Sequence, residues 1–564
     1  MGSALPTNLP RASTRITWMT GTARLFAGVF AAALLAGRGS AQKVNVTDEL
    51  GSEVCASCHS EIYKSYSKTV MAGASGIATD GLISGEFTHK QSGMHYRVFE
   101  QDGRAWMSYE RPKEDDFRGQ RELLYFIGSG VKGRSYLFSE KGFLFETPIN
   151  WYAQEQRWNM TPAYTEARES PMNLPAYVDC LNCHSSGMQA PIQGTDNKFS
   201  RKPFLHGGIT CQRCHGAGEA HLNRKGPIVN PAKLPPEPRD AICMECHFEG
   251  TVAIEQPGKH LYQFQPGDLL ADYTHYFLLT GSSSDQSQAV SQVEALSLSV
   301  CKRRSGDKMS CTSCHDPHSE PAAAEKAAYY RGKCLNCHGE AFGAKHHPDK
   351  PDCRACHMPE LPSKDVAHTE ATDHRILRYP AGPQLDDAVG APRLVQFPKI
   401  AASEATTRDL ALAWETLAQR GVAGASHEAE GYLFKAVKER PDDPVLLTAL
   451  GFIEQKHGHE KEAREFYERA LKVDPLSNDA ATDLGTLEAR AGELRQAVEL
   501  WQGAFERAPY RSAIGMNLAM AFCAAGQKDD ARKYVQRVLE FNPDYGKAKS
   551  LSNHLEKDPV QCKP

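Results

Sequence analysis

The chain has 564 residues, of which 41% are hydrophobic and 24% charged, and its formal net charge is −4. That length calls for several domains. The anionic balance argues against a nucleic-acid binder, which would need an excess of Lys and Arg on its surface.

The N-terminus reads as an export signal. Arg11, Arg15 and Arg24 precede an apolar run from Leu25 to Gly37, and Gly39-Ser40-Ala41 offers small residues for cleavage before Gln42. Residues 1–41 are therefore expected to be removed. The run is too short for a transmembrane anchor, and no second apolar run could span a bilayer, so the mature chain is expected to lack a membrane span. The first 41 residues hold four Arg and no acid, which puts the mature chain near −8. The expected location is the periplasm or beyond.

From there on, one pentapeptide dominates. Cys-x-x-Cys-His occurs seven times, and 14 of the 17 cysteines belong to it. The cysteines are Cys55 and Cys58, Cys180 and Cys183, Cys211 and Cys214, Cys243 and Cys246, Cys311 and Cys314, Cys334 and Cys337, and Cys353 and Cys356. The histidines that follow are His59, His184, His215, His247, His315, His338 and His357. A single Cys-x-x-Cys could be a zinc knuckle or a redox dithiol. Neither chemistry needs His immediately after the second Cys, and here all seven copies have it. The pattern is that of covalent haem c attachment. Two thiols add to the two vinyl groups of one porphyrin, and the adjacent His becomes the proximal iron ligand. Seven haems are expected in a domain spanning 42–378.

The stretch between the first two motifs reads as β-hairpins, an insert of about 86–152. His95–Glu100 and Ala105–Tyr109 flank Gln101-Asp102-Gly103, and Leu123–Ile127, Ser135–Phe138 and Phe143–Glu146 continue the pattern. Gly128-Ser129-Gly130-Val131-Lys132-Gly133 imitates a dinucleotide-binding loop, but the fingerprint needs a following helix. Arg134–Phe138 reads as a strand, so a tight turn is expected. After Cys180 the segments between motifs are rich in Gly, Pro and polar residues. Haem is expected to supply much of the buried apolar surface there.

Residues 379–406 read as a linker beginning Tyr379-Pro380-Ala381-Gly382-Pro383. Beyond it a repeat sets in. Pro441, Pro475, Pro509 and Pro543 are 34 residues apart, as are Gly458, Gly492 and Gly526, and Ala463, Ala497 and Ala531. This is the tetratricopeptide period. A weaker first unit is marked by Gly424, Ala429 and Ala436. About four repeats over 407–556 are expected, closed by a helix near Tyr545–Leu555, with 557–564 as a tail. The expected fold class is mainly α: an irregular haem-packed domain with a β-hairpin insert, then an α-solenoid.

Haem chemistry turns on the second axial ligand, because a closed site favours electron transfer and an open one admits substrate. Outside the seven proximal residues the haem region holds eleven further histidines, enough to close every site. The candidate distal ligands are His206, His221, His275, His318, His346, His347, His368 and His374. His318 is too close in sequence to reach the far face of its own haem, so a neighbouring iron is its expected partner. His89 and His95 lie in the β-insert and are weaker candidates. Met71, on the segment after the first motif, could offer a thioether to the first iron.

These residues resemble a family of exported multihaem cytochromes with C-terminal tetratricopeptide repeats, and the haem part is similar to the tetrahaem electron carriers of ammonia-oxidising bacteria. The similarity rests on Gly208–Gly216, Met309–His318 and Cys356-His357-Met358-Pro359. In that family a His-Ala often follows the first motif as distal ligand. Here Met71-Ala72 stands in its place, which the resemblance turns into support for Met71. The leading functional reading is a non-enzymatic electron carrier that works between redox partner proteins, with a further protein docked on the repeats. The alternative is a reductase or oxidase of a small nitrogen or sulfur compound, with one open haem. The sequence assigns no role to Cys301, Cys523 or Cys562.

Overall fold

The structure is a computed structural model that describes residues 50–112, 117–280, 291–346, 350, 352–362, 370–378, 392–397, 405–557 and 562. The expected signal at 1–41 lies outside the described residues, as do His347 and His368.

The segment after the first motif builds far more than a pair of hairpins. Ten antiparallel strands run from Ser75–Ile77 to Leu174–Pro175 and form one sheet. The fold is thus mixed α and β, not mainly α. Burial alternates along His95–Gln101 and Arg104–Glu110, as a half-buried strand requires. Tyr96, Val98, Met107 and Tyr109 fill the inner face with Phe126, Tyr136, Phe138 and Trp158. The hairpin between these two strands turns on Asp102 and Gly103, both at positive φ (53° and 69°), the conformation that a two-residue hairpin turn demands. The glycine-rich decoy is a turn. Gly130 N–H donates to the Gly133 carbonyl at 3.0 Å, and the strand Gly133–Glu140 follows.

The repeat region folds as four helical hairpins and a closing helix, Gly546–Leu555. Small residues set the helix spacing. A Cβ on Gly451 would fall 2.7 Å from the Tyr467 ring, and one on Gly485 would fall 2.7 Å from Trp501. Gly458 and Gly492 end their helices in the left-handed conformation (φ 81° and 89°), which explains their 34-residue step. Each repeat proline lies two residues past the end of its unit's second helix, for example Pro509 after Leu494–Arg507. Cys523 is bonded to Cys562, a pairing the sequence could not assign.

Two contacts seat the solenoid on the haem region. Val252–Glu255, Thr274–Thr280 and Arg393–Gln396 form a three-stranded sheet. Its residues Val252, Ile254 and Phe277 share a core with Ala411, Trp414 and Leu417 of the first repeat helix. Part of the expected linker is therefore an edge strand. Farther along, the loops between repeats meet the large sheet. Phe143 and Phe145 pack edge-on against Tyr510 and Phe541. The Ser170 amide donates to Asp544 at 2.7 Å, and Arg111 pairs with the same carboxylate.

Candidate haem sites

Six of the seven motifs lie on or at the end of short α-helical segments, and the fifth lies on a 3₁₀ turn, Cys311–Ser313. In the first, fifth and seventh motifs the His amide donates to the carbonyl of the first Cys at 2.9, 3.0 and 3.0 Å. One helical turn thus brings two thiols and an imidazole to a common side, as covalent haem attachment requires.

The imidazoles are set up as metal ligands. The Nδ1 atoms of His215 and His357 lie 2.9 Å from the Val229 carbonyl and 2.6 Å from the Leu377 carbonyl. His374 Nδ1 lies 2.7 Å from the Thr372 carbonyl. A carbonyl can only accept, so in each ring Nδ1 carries the proton and Nε2 keeps its lone pair for a metal. Burial pushes His184, His247, His315 and His374 below the ordinary imidazole range, which keeps them neutral.

Four proximal rings face a second imidazole. His59 faces His221 with centroids 6.4 Å apart, and His215 faces His318 at 5.9 Å. His315 faces His374 at 6.2 Å, and His357 faces His346 at 5.8 Å. The ring planes lie within 32° of parallel in every pair. An imidazole nitrogen sits about 2.0 Å from a bound first-row metal ion, so two rings gripping one ion from opposite sides have centroids roughly 6 Å apart. The donor set and its spacing therefore fit haem iron at these four motifs. Each distal residue comes from elsewhere in the chain. His318, just after the fifth motif, faces the proximal ring of the third, and His374, beyond the seventh, faces that of the fifth.

Other candidates are placed differently. At the first motif the ring opposite His59 is His221, not the Met71 thioether. The Met71 carbonyl instead accepts from Ile209 N–H at 3.0 Å, which ties this turn to the approach of the third motif. His206 lies in Phe204–Gly207 beside Gly51, where a glycine Cβ would come 3.3 Å from its Cε1. His275 faces the repeats on the same side of its strand as Phe277, with Nδ1 2.9 Å from Asp409. His89 is buried with both nitrogens engaged, by Ser92 at 2.8 Å and the Thr165 carbonyl at 3.0 Å. Among the described residues no second imidazole is paired with His184, His247 or His338; the Phe342 ring lies 5.1 Å from His338.

The motifs also touch one another. Cys183 and Cys246 lie within hydrogen-bonding reach, as do Cys55 and Cys211, Cys243 and Cys311, and Cys334 and Cys353. Burial pushes the Cys180 thiol up to about 11 and the Cys214 thiol up to about 12. Unattached, these sulfurs would be protonated and poorly nucleophilic at neutral pH. As thioethers they carry no proton.

Comparison with known families agrees with this geometry. Residues 151–216, which hold the second and third motifs, match the family model described as cytochrome c554 and c-prime. Residues 304–343, with the fifth and sixth, match the doubled CXXCH motif. Residues 488–555 match the tetratricopeptide repeat. The chain joins c-type cytochrome sequence to tetratricopeptide repeats. No curated protein sequence matches it. Among solved structures, the solenoid resembles a crystal structure of MamA, with 21% identity over 24% of this chain and 79% of that one (TM-score 0.23). It also resembles MamA of Desulfovibrio magneticus RS-1, at 19% over 27% and 85% (TM-score 0.24). A tetratricopeptide repeat protein from Parabacteroides merdae ATCC 43184 gives 20% over 26% and 58% (TM-score 0.24). Those likenesses concern the repeat fold alone.

Proposed function

We propose that the chain is an exported electron-transfer protein carrying seven covalently attached haems, with repeats that offer a surface to a partner protein. Bound haem would supply one-electron exchange between ferric and ferrous iron. The chain's own residues hold and tune it. Fourteen cysteines would anchor the porphyrins, and the proximal histidines would ligate with Nε2 while backbone carbonyls fix their tautomer. His221, His318, His374 and His346 would close four of the sites against substrate. The observation that carries this reading is the recurrence of the same imidazole pairing at four separate motifs. Contact between motifs adds support, since electron transfer needs neighbouring sites to be close. The Cys523–Cys562 bond fits an oxidising compartment, and no described helix is long and apolar enough to cross a membrane.

The test is intact mass spectrometry combined with a spectroscopic redox titration. Seven haems per chain, reversibly reduced and reoxidised with no turnover of nitrite, hydroxylamine or sulfur oxyanions, are expected. Fewer haems, or steady turnover, would contradict the proposal. Turnover would favour the second reading, a reductase or oxidase, for which the candidate open positions are at His184, His247 and His338, which face no second imidazole among the described residues.

A further inference from the structure

The two residues between the cysteines of a haem motif are left free by the attachment chemistry, so their identity can serve something else. In the second, third and fourth motifs the residue just before the second Cys is Asn182, Arg213 and Glu245. The four other motifs have Ser57, Ser313, Asn336 and Ala355 there, none of them charged. The fold brings Asn182, Arg213 and Glu245 to one buried point. Arg213 Nη2 lies 3.1 Å from Glu245 Oε1, with side-chain exposures of 9% and 3%. The same nitrogen donates to the Asn182 side-chain oxygen at 3.2 Å and to the Asn182 carbonyl at 3.4 Å. Arg213 also hydrogen-bonds the Cys246 sulfur, and Cys183 Sγ lies 4.0 Å from the Glu245 carbonyl.

We propose that Arg213 is a positioning residue whose guanidinium holds the second, third and fourth haem motifs in one fixed mutual arrangement and so sets the electronic coupling among them. This rests on the haem-carrier reading above. Stability alone does not account for the triad, because desolvating two charges can cost more than their attraction returns. A guanidinium is rigid, planar and always charged, and it can engage several acceptors in fixed directions. A lysine would keep the charge but not those directions. Its fourth contact, the Cys246 sulfur, would be a thioether in the haem-loaded protein, so Arg213 touches an attachment point of the fourth motif and the backbone of the second. A shift of this side chain would be passed directly to three porphyrins.

The test uses the full haem-loaded protein and three variants: R213K, R213M, and R213M/E245M, which removes both charges together and guards against a fold lost to one uncompensated carboxylate. Haem content of the unaltered protein is measured first, and its failure to bind haem would refute the carrier reading without touching Arg213. The readouts are haem–haem spin coupling by electron paramagnetic resonance and the rate of internal electron equilibration after a flash. The expected result is full haem loading in R213K and in the double variant, altered spin coupling in both, and equilibration slowed about tenfold or more, as small misplacements of reacting groups produce. R213M should also shift midpoint potentials downward, since a positive charge beside the haems is lost. If R213K and the double variant load haem and match the unaltered protein in coupling and rate, the proposal is overturned.

Discussion

The haem region and the repeat region solve the core problem in opposite ways. The repeat helix Ser512–Ala524 buries nine of its residues, and the other helices of that region bury between three and eight. The helices Cys211–His215, Lys326–His338 and Arg354–His357 bury none. Isolated helices of this length are marginal in water, so the second group needs a partner that protein side chains do not supply. On the proposed function, porphyrin faces would be that partner. The solenoid is held by its own side chains, while these three motif-bearing helices would be completed by their cofactors.

The largest expected effect follows directly. Chain produced without haem attachment should keep its repeats folded and lose the motif region. Hydrogen exchange would then show protection over 407–555 and little over 292–378. Protection of both regions would erase the contrast. Within the solenoid, Trp501 is fully buried and its indole N–H donates to the Thr482 carbonyl at 3.1 Å. W501A should cost about 3–5 kcal/mol in denaturant unfolding of the repeats and leave the haem spectra unchanged.

The boundary between the regions gives the next effect. His275 and Asp409 are both buried and 2.9 Å apart. H275A should cost about 3 kcal/mol of interdomain stability, read by limited proteolysis near residue 400. The pH dependence has a definite sign. Burial alone would raise Asp409, but hydrogen bonds from His275 and Thr406 outweigh it and hold the carboxyl below its ordinary range. A depressed acid stabilises the folded state fully above its unfolded pKa, about 3.9, and that contribution is lost as pH falls through the folded value. The junction should therefore be protease-resistant at pH 6 and loosen progressively only as pH falls below about 4. The smallest effect is expected at Arg495, whose ion pair with Glu499 is exposed on both sides (79% and 64%). R495A should change stability by less than about 0.5 kcal/mol.

The two regions were also unequally legible in the sequence. The solenoid was readable because its 34-residue period is local, and Gly458 and Gly492 turned out to be left-handed helix ends. The haem motifs were readable because attachment fixes five consecutive positions. What escaped was long-range. The β-insert grew into a ten-stranded sheet because short pieces such as Ser75–Ile77 and Leu174–Pro175 lack a strand signal of their own and are recruited by pairing. Arg393–Gln396 read as linker for the same reason. The distal ligands were legible only as a pool. Nothing local says that His221 reaches the first motif and His374 the fifth, and Met71 stood closer in sequence to the first motif than the ring that faces it. The carbonyls that orient His215 and His357 have no side-chain signature at all.

The central claim is that opposed imidazoles close at least four of the haem sites. The most direct measurement is low-temperature electron paramagnetic resonance of the fully loaded ferric protein, with the signals integrated against haem content. Low-spin bis-histidine signals accounting for four or more haems are predicted, with H221A converting one of them to high spin at unchanged haem content. A spectrum dominated by high-spin iron, or one that H221A leaves untouched, would contradict the account.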